Sequence, residues 1–399
     1  MGKYTVKDLS FWKITFSLGL ASMYIYSSMW ATQPLLPEFT AYFGVSISKA
    51  SMTMSATTLG VMIGLITLGL VSDRNGRVLI VKLSLLLSSL PFVVMALFNS
   101  LDLMILARFI QGFAMAGVPA AALAYISEEI HARSISVATA LYISANGFGG
   151  MLGRFTTGFI TEQMSWQSAF YLLAGVGGIC FFIVMLSLPK SRHFETNHAP
   201  FRKDIEGFMY HLKDPALLIM FGMGLVFQVT FTGVWTFLPF HLIGSHFSLS
   251  LDEISYLYFA YGLGVIGSPI AGWLTGRLGV KMVLSLSIVA LSLGAFITLS
   301  ESLFTVIVGL CIMCLGFFTA HSIAASSVSR EATHHKGSAS SLYLVSYYVG
   351  VMIGSTVISP LWEMIHWTGL IIIVGIVPLV YLMFLWRMKF YTNTRSWNF

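Results

Sequence analysis

Long apolar runs recur along this sequence at nearly even intervals, and a soluble fold has no use for so many. They fall at residues 11–36, 50–71, 78–97, 103–125, 136–160 and 166–188, then at 216–243, 254–275, 280–299, 303–328, 338–361 and 367–388. Each has roughly the 17–25 residues that a helix needs to cross a bilayer. Only 10% of the 399 residues are charged and 56% are apolar, whereas an ordinary soluble domain carries about 25% charged residues. So few charges cannot cover a soluble surface of this size, so lipid is the main solvent. In lipid the backbone must satisfy its own hydrogen bonds, as a helix or a closed barrel. The runs are continuous rather than alternating over about ten residues, which excludes a barrel. The expected class is an all-α membrane protein with 12 transmembrane helices.

The positive charges set the direction of these spans. Lys and Arg concentrate on cytoplasmic flanks. With the N-terminus inside, nineteen of the 22 fall on cytoplasmic segments. They group in the N-terminal tail (Lys3, Lys7, Lys13), the 2–3 and 4–5 connections, the central loop, the 8–9 and 10–11 connections and the C-terminal tail. Lys49 alone falls outside, and Arg108 and Arg154 lie within spans. One miscounted span would scatter this pattern. The expected placement is therefore multi-pass in the plasma (inner) membrane with both termini cytoplasmic. The first run follows a basic flank like that of a signal peptide, but it is too long and lacks a small-residue cleavage site, so it reads as a retained span.

The longest connection is polar and basic and divides the chain near its middle. The expected organisation is a bundle over residues 1–188, a cytoplasmic linker over 189–213 and a second bundle over 214–399. The halves repeat. Gly69, Arg74 and Gly76 in the 2–3 connection recur as Gly272, Arg277 and Gly279 in the 8–9 connection. Tyr142, Gly149 and Gly153 of span 5 recur as Tyr343, Gly350 and Gly354 of span 11. Parallel repeats of this kind are a common transporter design, with the substrate site near mid-membrane.

Residues 69–77 resemble the loop signature of the major facilitator superfamily. Arg108, Gln111 and Gly112 are similar to the span-4 signature of its proton-coupled members, especially the twelve-span drug:proton antiporters. The resemblance covers the whole chain and implies a major facilitator fold, two pseudo-symmetric six-helix bundles. It also implies proton-coupled efflux of small amphipathic or drug-like compounds by alternating access. One position departs from the antiporter pattern: Asn146 stands where their span-5 signature has proline, ahead of the glycine pair Gly149 and Gly150. That departure keeps a proton-coupled sugar or metabolite carrier as the alternative, with a non-transporting receptor or scaffold behind it.

The resemblance implies a cytoplasmic gate at the loop signature. Its expected members are Gly69, Asp73, Arg74, Gly76, Arg77, Glu129 and Arg133, with Gly272, Arg277, Gly279, Arg330 and Glu331 from the second half. A carboxylate in a basic loop can pair with arginine, which topology alone would not require. Arg108 lies about 9 Å below the outer end of span 4, where burial costs on the order of 3 kcal/mol; such a residue faces the bundle interior. Arg154 lies nearer the outer end of span 5, with Glu162 and Glu38 as possible partners by position. His321 is the one deeply placed group that titrates near neutral pH. No Asp or Glu falls in the middle third of any span. The proton-coupling candidates are accordingly Arg108, His321, Asp73 and Glu38.

The resemblance places the cavity along spans 1, 4, 7 and 10, which offer Tyr26, Trp30, Gln33, Gln111, Phe227, Gln228, Phe231 and Trp235. Spans 5 and 11 add Tyr142, Asn146, Tyr343 and Tyr347. Aromatic faces with a few amides suit apolar or amphipathic ligands. Cys311 and Cys314 form a C-x-x-C inside an apolar run, where a thiolate is disfavoured, so they read as helix packing and no metal is expected. There is no phosphate-binding Gly-x-x-x-x-Gly-Lys loop and no His-Glu-x-x-His. The expectation is therefore no enzyme and no cofactor. The expected partners are a small-molecule substrate, protons and the lipid bilayer, without nucleic acid, for a monomeric chain.

Overall fold

The computed structural model describes residues 2–194, 196, 207–244, 246–332 and 336–387. Part of the expected linker, with Arg202 and Lys203, lies outside the described residues, as do Lys389 and Arg395. The elements are helices: α1 Leu9–Trp30, α2 Leu36–Phe43, α3 Ile47–Asn75, α4 Arg77–Leu97, α5 Leu101–Met115, α6 Gly117–Glu129, α7 Ala132–Gln163 and α8 Trp166–Ser187. There follow α9 Pro215–Ile243, α10 Leu251–Leu257, α11 Tyr261–Leu278, α12 Val280–Ile297, α13 Leu303–Glu331, α14 Lys336–Met352 and α15 Ser359–Arg387. Among the described residues, ten helices are long and apolar enough to cross a membrane, with α5 and α6 read as one. The two remaining expected spans coincide with α1, made more polar by Lys13 and five serines, and with the bent run α10–α11.

Each interruption has a local cause. The α5–α6 break falls at Ala116, next to Pro119, which has no N–H to give to the carbonyl of Met115. A 3₁₀ turn, Tyr258–Ala260, separates α10 from α11. A π turn, Ile353–Val357, ends α14. His366 at φ 52° bends α15. Span 1 stops at Trp30, and the run expected to reach Leu36 instead turns over residues 31–35 into α2.

The chain forms two compact units. Unit 1 comprises Met1–His198 with Ser250–Tyr258, and unit 2 comprises Ala199–Leu249 with Phe259–Phe399. The segment 250–258 belongs to unit 1 because α10 packs on α7. There Glu162 Oε2 accepts from the Leu251 amide at 3.1 Å, and the Phe155 and Tyr256 rings lie 5.4 Å apart.

The repeat is visible as packing. A Cβ at Gly149 would meet the Met23 carbonyl at 2.2 Å, and one at Gly153 would meet that of Ser27 at 2.2 Å. In unit 2 the same role falls to Gly350 and Gly354, 2.5 Å from the carbonyl of Leu225 and 2.7 Å from that of Val229. Each glycine pair lets one helix lie directly on another's backbone, α7 on α1 and α14 on α9, where a side chain would hold them apart. Gly76 (φ 102°) and Gly279 (φ 79°) likewise turn the chain between consecutive spans through conformations that L side chains avoid.

Candidate functional site

The centre of unit 1 is built on two arginines. Arg108 is fully buried, and its described partners are all neutral. Nη1 donates to the Ser28 carbonyl at 2.9 Å and to Gln111 Oε1 at 2.6 Å, Nη2 to the Met29 carbonyl at 2.7 Å, and Nε to the Thr53 carbonyl at 3.5 Å. Ser28 and Met29 lie in the last turn of α1, whose carbonyls have no intrahelical donors. Arg108 therefore caps α1, and its charge faces the negative end of that helix dipole. Gln111 passes the network on, with Nε2 donating to the Ser88 carbonyl at 2.7 Å. α1, α3, α4 and α5 are thereby joined at one point.

Arg154 is also buried. Nε donates to Gln33 Oε1 at 2.6 Å, Nη1 to the Gly150 carbonyl at 2.7 Å, and the guanidinium sits 4.4 Å over the Trp30 ring. Tyr258 lies 5.8 Å away on another side. Trp30, Gln33 and Arg154 thus form one cluster, joining two cavity candidates to a residue left open by the sequence. A Cβ at Gly150 would crowd both Arg154 and Trp30, at 3.2 and 3.4 Å, so the second glycine of the span-5 pair makes room for this stack. Asn146, at the departed proline position, accepts a hydrogen bond from Ser22 Oγ and ties α7 to α1. Tyr142 is buried and Tyr26 half-buried.

The centre of unit 2 is aromatic. Phe231 stacks on Phe317 at 3.8 Å and 11° and meets Tyr261 at 5.3 Å; Trp235 lies 4.8 Å from Tyr261. Phe317 lies parallel to His321, one helical turn on, at 5.9 Å and 7°. The His321 ring meets Tyr347 at 4.9 Å, and its Nδ1 lies 2.9 Å from the Tyr343 hydroxyl. His321 and Tyr347 keep partial exposure while Tyr343 is buried. Gln228 Nε2 donates to Thr232 Oγ1 at 2.7 Å, and Phe227 is buried beside them. Five expected residues, Phe231, Trp235, His321, Tyr343 and Tyr347, therefore meet in one layer. Phe317 and Tyr261 complete it without having been singled out. The spacing of Phe317 and His321, four apart on one helix face, was the available signal for the first.

The loops around Gly76 and Gly279 differ between the two units. In unit 1, Arg77 donates to Asp73, to Ser72 at 3.3 Å and twice to Glu128 at 3.0–3.1 Å. The expected acid, Glu129, has another task. Its buried carboxylate accepts from Ser191 Oγ at 2.7 Å and from the amides of Arg192 and His193 at 2.5 and 2.8 Å, holding the start of the linker. Neighbouring residues on a helix point about 100° apart, which sends Glu128 to Arg77 and Glu129 to the linker. The N-terminal segment joins the same layer: Tyr4 N donates to the Glu129 carbonyl at 2.9 Å, and the Arg192 guanidinium lies 5.2 Å over the Tyr4 ring. Arg133 is exposed, while Gly69 and Arg74 are half-buried. Glu38 sits in the first turn of α2, away from these loops.

In unit 2, Gly276 stands at the position of Asp73, and Arg277 stacks 4.0 Å over its neighbour Trp273 instead of facing a carboxylate at that position. Arg330 is exposed and donates to Ser326 Oγ at 3.4 Å, and Glu331 is half-buried. Gly272 lies within α11, and its surroundings are outside what the structure describes. Cys311 and Cys314 are free thiols of α13. Among the described residues no cluster of His, Cys, Asp and Glu has the makings of a metal site.

A family model of the Major Facilitator Superfamily matches residues 18–241 and 228–398. The chain is 32% identical over 376 residues to an MFS-type transporter, YybF, of Bacillus subtilis (strain 168), covering 94% of this chain and 92% of that one. It is 31% identical over 364 residues to the inner membrane transport protein YnfM of Escherichia coli (strain K12), covering 90% and 86%. Among solved structures, the nucleoside transporter NupG superposes with a TM-score of 0.79 at 14% identity, covering 94% of this chain and 99% of that one. This last likeness is one of fold.

Proposed function

Because the chain belongs to the Major Facilitator Superfamily, we propose that it is a proton-coupled secondary carrier exporting small amphipathic or drug-like compounds by alternating access. It is a multi-pass membrane transporter of that family; the coupling, the substrate and the direction are the proposal. The observation that carries it is the half-buried His321, set in an aromatic layer and bonded to Tyr343. Arginine keeps its proton in proteins, whereas histidine changes charge near neutral pH. Arg108, engaged with the helix-end carbonyls of Ser28 and Met29, the Thr53 carbonyl and the Gln111 side chain, acts as a structural support for α1. His321 takes up the proton, and the aromatic layer around it offers flat apolar contact to an amphipathic ligand. Asp73 and Arg77 serve the inner gate, where the Arg77 fork is held by two carboxylates. The carrier works as a monomer in the inner membrane with both ends cytoplasmic.

A second reading, a proton-coupled sugar or metabolite carrier, is favoured by one observation. Asn146 bonds Ser22 where the exporter signature has proline, so α7 and α1 are joined by a side-chain bond at that level.

Vesicles loaded with a pH-sensitive dye and given gradients of cationic, neutral and sugar compounds test both readings. The expected result is proton movement with amphipathic compounds, reduced at least tenfold in His321→Ala. Flux with sugars alone, running inward, overturns the exporter reading in favour of the second.

A further inference from the structure

The Tyr343 hydroxyl has two neighbours on the same residue. It lies 2.9 Å from His321 Nδ1 and 3.5 Å from the His321 carbonyl oxygen. A phenol has one proton to give and lone pairs that accept, so it can hold only one of two arrangements at a time. With a neutral ring protonated at Nε2, the hydroxyl donates to Nδ1. With Nδ1 protonated, the new N–H donates to the phenol oxygen, and the phenol proton turns to the carbonyl. Gly224 makes this position available, since a Cβ there would come within 2.8 Å of Tyr343 Cε2.

We propose that Tyr343 is the positioning residue of the proton site: a two-position hydroxyl that fixes the His321 tautomer and keeps α13 joined to α14 in both charge states. This rests on the reading of His321 as the proton carrier. In the net step, a proton from water adds to the Nδ1 lone pair, the ring becomes imidazolium, and the phenol keeps one proton throughout. Release reverses each movement. Among the described residues, the helices packed on α13 bring few titratable groups to the ring. α14 contributes Tyr343 and Tyr347, with Tyr261 of α11 beyond the Phe317 and Phe231 rings. α9 contributes Phe231 and Trp235, and α12 packs with Ser287 and Leu291 around Gly316. The charge state of His321 therefore has the Tyr343 hydroxyl as its nearest polar control.

The test is nitrogen-15 NMR of histidine-labelled full-length protein in lipid nanodiscs. The His321 signals, one set among 10 histidines, are identified by subtracting the spectrum of His321→Ala. At pH values where the ring is neutral, the wild-type protein should show one tautomer, protonated at Nε2. Tyr343→Phe should raise the minor tautomer at least tenfold, while Tyr381→Phe, which removes a hydroxyl that donates to the Ile219 carbonyl instead, should leave the tautomer ratio unchanged. A wild-type ring protonated at Nδ1, or an unchanged ratio in a folded Tyr343→Phe, overturns the proposal; the wild-type spectrum alone decides it if that variant does not fold. In dye-loaded vesicles, Tyr343→Phe should retain proton flux but move its pH midpoint by about one unit, the scale of one lost hydrogen bond. An unmoved midpoint overturns the positioning role. Undiminished flux in His321→Ala instead sinks the carrier reading and leaves the tautomer result standing.

Discussion

The two units share a scaffold and differ in what they bury. In both, a pair of glycines four apart lays one helix onto another's backbone, and a positive-φ glycine turns the chain between consecutive spans. Within that common frame unit 1 buries Arg108 and Arg154 among carbonyls and amides, whereas unit 2 buries a stack of rings around one histidine. Their loops around Gly76 and Gly279 diverge the same way: a fork between two carboxylates in unit 1, an arginine over a tryptophan in unit 2. The repeat thus preserves the positions where backbones touch, because a Cβ there would force helices apart. It is free elsewhere, because the chemistry of a side chain that lines an interior does not alter helix spacing.

The largest contrast should come from the arginine cap. Arg108→Met leaves the Ser28 and Met29 carbonyls and Gln111 Oε1 without their donor in a buried core, at about 1–3 kcal/mol for each group left unsatisfied. Thermal unfolding in detergent should show a clearly lowered midpoint, and Arg108→Lys should not restore it, since an ammonium lacks the planar fork. An unchanged midpoint in Arg108→Met would remove the cap as an explanation of this buried charge.

Glycine replacement probes the shared scaffold and should be unequal across it. Gly153→Ala sets a methyl group 2.2 Å from a carbonyl oxygen, and Gly354→Ala sets one at 2.7 Å. Overpacking of this kind costs about 1–3 kcal/mol, with the unit 1 variant at the upper end. Equal losses in the two variants would mean that the repeats yield alike.

The loop contacts should respond least. Glu128→Gln removes a half-exposed partner of Arg77 while Asp73 remains, so the expected loss is about 1 kcal/mol or less, read from the same unfolding curves. Arg277→Ala gives up a contact over Trp273 worth roughly 0.5–1 kcal/mol. If Glu129→Gln proved no more damaging than Glu128→Gln, the assignment of Glu129 to the linker would lose its support, because Glu129 is the more deeply buried of the two.

Much of this molecule is written along one dimension. Hydropathy places spans to within a few residues, as at α4 (Arg77–Leu97) and α9 (Pro215–Ile243), because lipid leaves an apolar run only one economical shape. Glycines at a constant shift mark the repeat for the same reason: close approach has one solution at each crossing. The exposed basic loops and the deep histidine could also be read directly, since charge and depth follow from position in a span.

Partners could not be read that way. Arg108 finds the carbonyls of Ser28 and Met29, 80 and 79 residues away, and Glu128 rather than Glu129 finds Arg77. Tyr343 meets His321 only because Gly224 leaves its ring room. Each of these depends on how far a helix is rotated and how closely it is approached. Rotation by one residue turns a side chain by about 100°, and hydrogen bonds tolerate errors of only a few tenths of an ångström. Membrane class and internal repetition are therefore properties of the chain's pattern. The capping arginine, the held linker and the histidine–tyrosine pair exist only once the helices have packed.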